Sequence, residues 1–117
     1  GVLAGQLRVA GLRRQTHGGE LQVSLAWQGW PRATNDYTVF VQLLDENEQR
    51  ITGVDVAPEP GFTALDRKEV KLTHYNLPLP AQTEPGQYKL LVGLYYFAGE
   101  EVINVGARIL EAPVLLQ

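Results

Sequence analysis

The chain contains no cysteine and no methionine among its 117 residues. Without cysteine it can form neither a disulfide framework nor a site built on thiolate ligands. Neither sign of charge dominates, because 10 Lys and Arg stand against 13 Asp and Glu. This mildly acidic balance provides no basic surface for nucleic acid or anionic lipid. The longest apolar run, residues 90–99, is too short for a membrane helix of roughly 20 residues. We therefore expect no nucleic-acid binding and no direct membrane insertion.

Residues able to carry chemistry are also few. The chain has a single serine, Ser24, and two histidines, His17 and His74, that are far apart in the sequence. A nucleophile needs an activating base within reach, and zinc needs three or four nitrogen or sulfur ligands. The acidic stretch 45–48 is interpreted as a solvated hairpin tip, with weak calcium binding as the alternative. The sequence thus predicts no catalytic residue, no cofactor and no metal site, and a domain that is not itself an enzyme.

From the absence of methionine and the glycine at position 1 we expect a domain excised from a longer protein, with a small protein processed at its N-terminus as the alternative. The length suits one domain with its own hydrophobic core. We therefore interpret residues 1–117 as a single domain.

What the sequence does contain is alternation with a period of two. Leu21, Val23, Leu25 and Trp27 share one face of a stretch whose other face is mostly polar. The 12 glycines and 7 prolines lie largely between such stretches. We predict strands at 6–13, 20–28, 36–45, 50–57, 69–77, 86–97 and 101–110. This pattern predicts an all-β fold, an immunoglobulin-like or fibronectin-III-like antiparallel β-sandwich of about seven strands.

Tyr88 follows a Pro-Gly turn and begins the strongest predicted strand. Sandwiches of the immunoglobulin type have a tyrosine at this place, and its hydroxyl bonds back to the backbone just upstream. We expect Tyr88 to form such a tyrosine corner.

Three stretches, residues 25–28, 36–45 and 77–95, occur in an order and spacing that resemble a known family. They resemble the β-sandwich accessory domain at the C-terminal, extracytoplasmic end of some bacterial multi-spanning membrane glycosyltransferases. That family often has a tryptophan in the loop before the fifth strand, where this chain has Ala64-Leu65-Asp66. The resemblance implies an accessory role and an extracytoplasmic, periplasmic or cell-surface, location. It implies no catalytic residues.

Two predicted neighbouring strands, 36–45 and 86–97, are apolar on both faces. Their outer faces should form one patch, a candidate interface comprising Phe40, Gln42, Leu44, Leu91, Gly93, Tyr95 and Phe97. Gly93 would allow a ring or another backbone to approach closely. The patch has three possible occupants: another domain of the parent protein or a second copy, the chain's own long loop or apolar tails (Val2-Leu3-Ala4 and residues 112–116), or a sugar. Trp30 and Tyr95 are the candidate sugar-stacking residues.

We therefore expect a noncatalytic docking or spacer module in the extracytoplasmic part of a membrane glycosyltransferase-like protein. Its partners would be other domains of that protein or a second copy. The alternative is a carbohydrate-binding module with a glycan as its ligand.

Overall fold

The computed structural model describes residues 2–3, 7–29, 33–66, 69–110 and 114–116. Within these ranges the chain forms strands joined by turns and one short 3-10 helix, Phe62–Ala64. The strands are β1 (Val2–Leu3), β2 (Leu7–His17), β3 (Glu20–Gly29), β4 (Thr38–Leu44), β5 (Arg50–Val56), β6 (Val70–Pro78), β7 (Gly86–Ala98), β8 (Glu101–Ile109) and β9 (Val114–Leu116).

The strands form two antiparallel sheets. The first sheet has the order β1-β2-β3-β6, and the second has the order β5-β4-β7-β8, with β9 pairing the start of β7. This arrangement confirms the all-β sandwich expected from the sequence. It also confirms that β4 and β7, the two strands apolar on both faces, are neighbours.

All seven predicted strands are present, and the largest difference is the end of β2. This strand runs to His17, beyond the predicted 6–13, and pairs with β3 through a tight turn at Gly18-Gly19. Both glycines have positive φ, 59° and 82°, as a two-residue hairpin turn of this kind requires. Residues 13–17 are exposed on both faces, so they carry no alternation that a pattern could detect.

The core lies between the sheets and is filled by the alternating residues of β3, β4, β6 and β7. Its largest fully buried side chain is Trp27 on β3. The Trp27 indole Nε1 donates to Thr73 Oγ1 at 2.9 Å, and the Tyr75 hydroxyl donates to the same oxygen at 2.8 Å. Burial raises the pKa of Tyr75 above its ordinary value. One threonine oxygen therefore satisfies two aromatic donors that folding removes from water.

The loop between β5 and β6 is attached to the core by Phe62, which is fully buried. Its ring contacts Trp27 edge-to-face, with 5.3 Å between centroids. Ala64-Leu65-Asp66, where the family that the sequence resembles often has a tryptophan, contains no aromatic residue. Phe62 supplies an aromatic residue to this loop two positions earlier.

Asp36 holds the same loop from outside. Its Oδ1 accepts hydrogen bonds from Thr63 N at 2.8 Å and from Thr63 Oγ1 at 2.7 Å. Gly61 lies so close to this carboxylate that an added Cβ would overlap it. The loop conformation therefore depends on a carboxylate outside the loop and a residue without a side chain inside it.

Tyr88 forms the expected tyrosine corner. Its buried ring belongs to the core, and its hydroxyl donates to the Glu84 carbonyl oxygen at 2.5 Å. This bond connects the loop that follows β6 to the beginning of β7. The prediction made from the Pro85-Gly86 turn and the tyrosine after it is confirmed.

Candidate functional site

The candidate site is the outer face of the second sheet. Phe40 on β4 lies opposite Gly93 on β7, and Gln42 lies opposite Leu91. Across β7, Phe97 lies opposite Val102 of β8. The register therefore brings together on one face the residues that the sequence assigned to the patch.

Phe40, Tyr95 and Phe97 form what we call the aromatic cluster. The Phe40 and Tyr95 rings stack, with 6.2 Å between centroids and 25° between planes. Tyr95 and Phe97 meet edge-to-face at 5.8 Å and 85°. Phe97 is 60% exposed, and Phe40 and Tyr95 are half-buried. The cluster is thus packed from within and open to solvent at one end.

Tyr95 also brings a polar group to the cluster. Its hydroxyl donates to Asp55 Oδ2 on β5 at 2.8 Å. The hydrogen bond to Asp55 raises the pKa of Tyr95 above its ordinary value, and burial and the negative charge of Asp55 act in the same direction. The tyrosine is therefore a neutral donor at physiological pH, and the carboxylate beside it keeps acceptor capacity for another donor.

Two of the seven predicted patch residues are not on the accessible surface. Leu44 is only 5% exposed. It pairs with Lys89 on one side and Arg50 on the other. Lys89 reaches Glu48 of the hairpin tip at 3.5 Å. The prediction that Leu44 contributes to an exposed patch is wrong, because alternation shows which face a residue occupies but not what covers it.

Gly93 is also buried, and the reason is the Phe40 ring. A Cβ added at Gly93 would overlap that ring. The expectation that a ring approaches Gly93 closely is confirmed, but the ring belongs to the chain itself. Gly93 therefore accommodates the Phe40 ring in the described structure and offers no surface to a ligand.

The described parts of the two tails do not lie across this face. Val2–Leu3 pairs with β2 in the first sheet, and Val114–Leu116 pairs with the first residues of β7. Their expected role as a cover is therefore wrong for these segments. Trp30, the other candidate for sugar stacking, lies outside the described residues.

The rest of the described surface carries little chemistry. Ser24 and His74 meet on the exposed face of the first sheet, with 2.8 Å between Ser24 Oγ and His74 Nδ1. Asp45 Oδ1 accepts from the backbone N–H groups of Asn47 and Gln49, so this carboxylate shapes the hairpin tip. Among the described residues, no group of three or more His, Asp and Glu side chains is placed to hold a metal ion. In the same part of the chain, no helix is long and apolar enough to cross a membrane.

The comparisons with known proteins assign the chain to no family. No model of a known protein family matches the chain, and no curated protein sequence matches it. The fold is therefore established by the structure, and the function is inferred from the surface.

Proposed function

We propose that this chain is a noncatalytic accessory module that docks through its aromatic cluster. The observation that carries the proposal is the exposed ring of Phe97 in contact with Tyr95, which itself stacks on Phe40. Contiguous apolar surface of this kind marks an interaction site, and aromatic residues are enriched at the centre of interfaces.

The cluster is preorganised for binding. Phe40 and Tyr95 lie on β4 and β7, the two central strands of the second sheet. Phe40 is seated on Gly93, and the Tyr95 hydroxyl is held by Asp55. Because these side chains are already ordered, a partner that covers them would lose little conformational entropy.

The proposed partner is another domain of the same polypeptide. Three rings present less area than the roughly 1,000 Å² that a stable interface between separate proteins usually buries. Within one chain the effective concentration is on the order of millimolar, so a small apolar contact suffices. The resemblance to accessory domains of membrane glycosyltransferases supports placing the module in the extracytoplasmic part of such a protein.

The test uses the full-length protein that contains this sequence. Asn104 lies opposite Tyr95 on β8, and Gln22 is exposed on the central strand β3 of the first sheet. Asn104→Cys and Gln22→Cys place one thiol near the aromatic cluster and one far from it. We expect thiol labelling at position 104 to be at least tenfold slower in the full-length protein than in the isolated chain, with no such difference at position 22.

A second arm removes the docking surface itself. In the Asn104→Cys background, Phe97→Ser should restore fast labelling in the full-length protein. Leu115→Ser is the matched control, because Leu115 is similarly exposed but lies on β9, opposite Gln87 at the start of β7 and away from the aromatic cluster. Equal labelling of position 104 in the isolated chain and the full-length protein would refute docking through this face.

A second candidate function, carbohydrate binding, is favoured by one specific observation. Asp55 lies within hydrogen-bonding distance of Tyr95, so an aromatic ring and a carboxylate acceptor adjoin one open surface. A sugar ring could stack on the aromatic face while a hydroxyl donates to Asp55. Titrations with neutral oligosaccharides, followed by calorimetry, test this. Binding that is lost on both Tyr95→Ser and Asp55→Asn would support it, and no heat across the panel would count against it.

A further inference from the structure

The edges of the two sheets differ in how well they are protected. In the described part of the chain, β5 and β8 end the second sheet, and β6 ends the first sheet on its β3 side. An edge strand presents unpaired backbone donors and acceptors to any other strand. Proteins usually block such edges with charges, proline or bulges.

Both edges of the second sheet have these protections. The β4–β5 ladder is irregular at Leu43/Leu44, and β5 carries Arg50 and Asp55. The β7–β8 ladder is irregular at Leu94/Tyr95, and β8 carries Glu101 and Arg108. Bulges twist an edge, and charges make its pairing with a copy of itself unfavourable.

The β6 edge has almost none of these protections. Val70–Pro78 pairs with β3 over its whole length without a register shift. Lys71 is its only charged residue, and its only proline, Pro78, ends the strand. Val70 and Leu72 are 54% and 64% exposed. A long, regular edge with a single charged residue and exposed apolar side chains favours pairing with another strand.

We infer that β6 pairs antiparallel with β6 of a second copy, which joins the two first sheets into one continuous sheet. Antiparallel pairing of identical strands satisfies twofold symmetry, the commonest symmetry of homodimers. The exposed side chains along the strand are Val70, Leu72, His74, Asn76 and Pro78, and none carries a fixed charge. A second copy therefore meets no like-charge repulsion along this row.

The two ends of β6 are also complementary to each other in an antiparallel pair. Beside Val70 lies an open hollow of about 150 Å³, lined by the apolar residues Pro60, Ala64 and Leu65 together with Glu69 and Lys71. When two copies of β6 overlap fully and run in opposite directions, Pro78 of the second copy lies beside Val70. Pro78 thus meets the apolar part of this hollow at both ends of the dimer contact.

This interface is separate from the aromatic cluster, which lies on the second sheet. The two surfaces can therefore be tested independently, and failure of one leaves the other standing.

The experiment is sedimentation equilibrium of the chain at increasing concentration, up to about 1 mM. We expect the wild type to form a dimer and Leu72→Lys to weaken association at least tenfold. Gln22→Lys is the matched control, because Gln22 is exposed on the same sheet but belongs to the central strand β3. A circular dichroism spectrum checks that each variant is folded, as expected for changes at exposed positions.

Cysteine substitution supplies a second readout, because the chain has no cysteine of its own. In a symmetric antiparallel pair one residue lies opposite its own copy, at a Cα distance that a disulfide can bridge. Full overlap of Val70–Pro78 places His74 opposite its own copy. Among single cysteines at positions 70, 72, 74 and 76, His74→Cys should therefore crosslink strongly and the others weakly, whereas Gln22→Cys should give no crosslink. A wild type that stays monomeric at 1 mM would overturn the inference. A dimer that survives Leu72→Lys but dissociates on Phe97→Lys would overturn it as well.

Discussion

The Phe40 ring lies directly on Gly93 of the neighbouring strand. The two residues are paired across β4 and β7, and a Cβ at position 93 would overlap the ring. Glycine in a central strand usually weakens it, because it has no side chain to pack and loses more backbone entropy. Here the absence of a side chain at Gly93 leaves the space in which the Phe40 ring lies against the sheet and stacks on Tyr95.

Gly93→Ala should destabilise the fold by about 1–3 kcal/mol, the usual cost of overpacking a close contact. The free energy of unfolding measured by urea denaturation tests this. Gly11→Ala is the matched control, because a Cβ at position 11 would meet Ala26 at an ordinary 3.5 Å. In a Phe40→Ala background the cost of Gly93→Ala should disappear. An undiminished cost there would show that Phe40 is not its cause.

Tyr88→Phe should cost about 1 kcal/mol, the usual net value of one hydrogen bond, because the ring stays buried while its bond to the Glu84 carbonyl is lost. Thermal or urea unfolding measures the change. Tyr96→Phe is the control, because the hydroxyl of Tyr96 bonds to no residue within the described ranges. Equal effects of the two substitutions would contradict a special role for the corner.

Thr73→Val should cost about 2–4 kcal/mol, since it removes the acceptor of both Trp27 Nε1 and the Tyr75 hydroxyl at constant volume. Each buried donor left unpaired costs about 1–3 kcal/mol. Thr16→Val, on the exposed end of β2, is the control. A loss below 0.5 kcal/mol, roughly the effect of a surface substitution, would mean that the two donors find other partners.

Asp36→Asn should lower stability at neutral pH and have little effect in acid. The side-chain and backbone hydrogen bonds from Thr63 lower the pKa of Asp36 below its ordinary value. A carboxyl whose pKa falls on folding stabilises the fold above the pKa of the unfolded chain, about 3.9. That contribution is lost as the pH falls through the lower pKa of the folded state.

Urea denaturation of the wild type and Asp36→Asn at pH 7 and at pH 2–3 measures this difference. Glu46→Gln, at an exposed acidic residue of the hairpin tip, is the comparison. A gap between the wild type and Asp36→Asn that stays constant across this pH range would contradict the argument.

Much of the fold could be predicted because alternation and turn residues are local signals. Leu21, Val23, Leu25 and Trp27 are buried as their spacing predicted. Tyr88 was identifiable because a Pro-Gly turn precedes it. The short strands β1 and β9 could not be predicted, because two or three residues are too few to show a period.

The candidate site was only partly predictable. Phe40, Tyr95 and Phe97 share a face because side chains alternate along β4 and β7, and this the sequence showed. Leu44 is buried although alternation assigns it to the same outer face, and its paired neighbours Lys89 and Arg50 come from other strands. The bond between Tyr95 and Asp55 joins residues 40 positions apart in the chain, and no local pattern indicates it.

The sequence by itself determined which kinds of site this protein lacks and which of its strand residues face the core. The absence of cysteine excluded disulfides and thiolate sites, and the period of two determined which residues face the core. The tertiary structure alone decided which outward residues are accessible, which edge is unprotected and where Asp55 and Phe62 lie. The physical reason is that burial, hydrogen bonding and edge protection depend on neighbours that only strand pairing and sheet packing bring together.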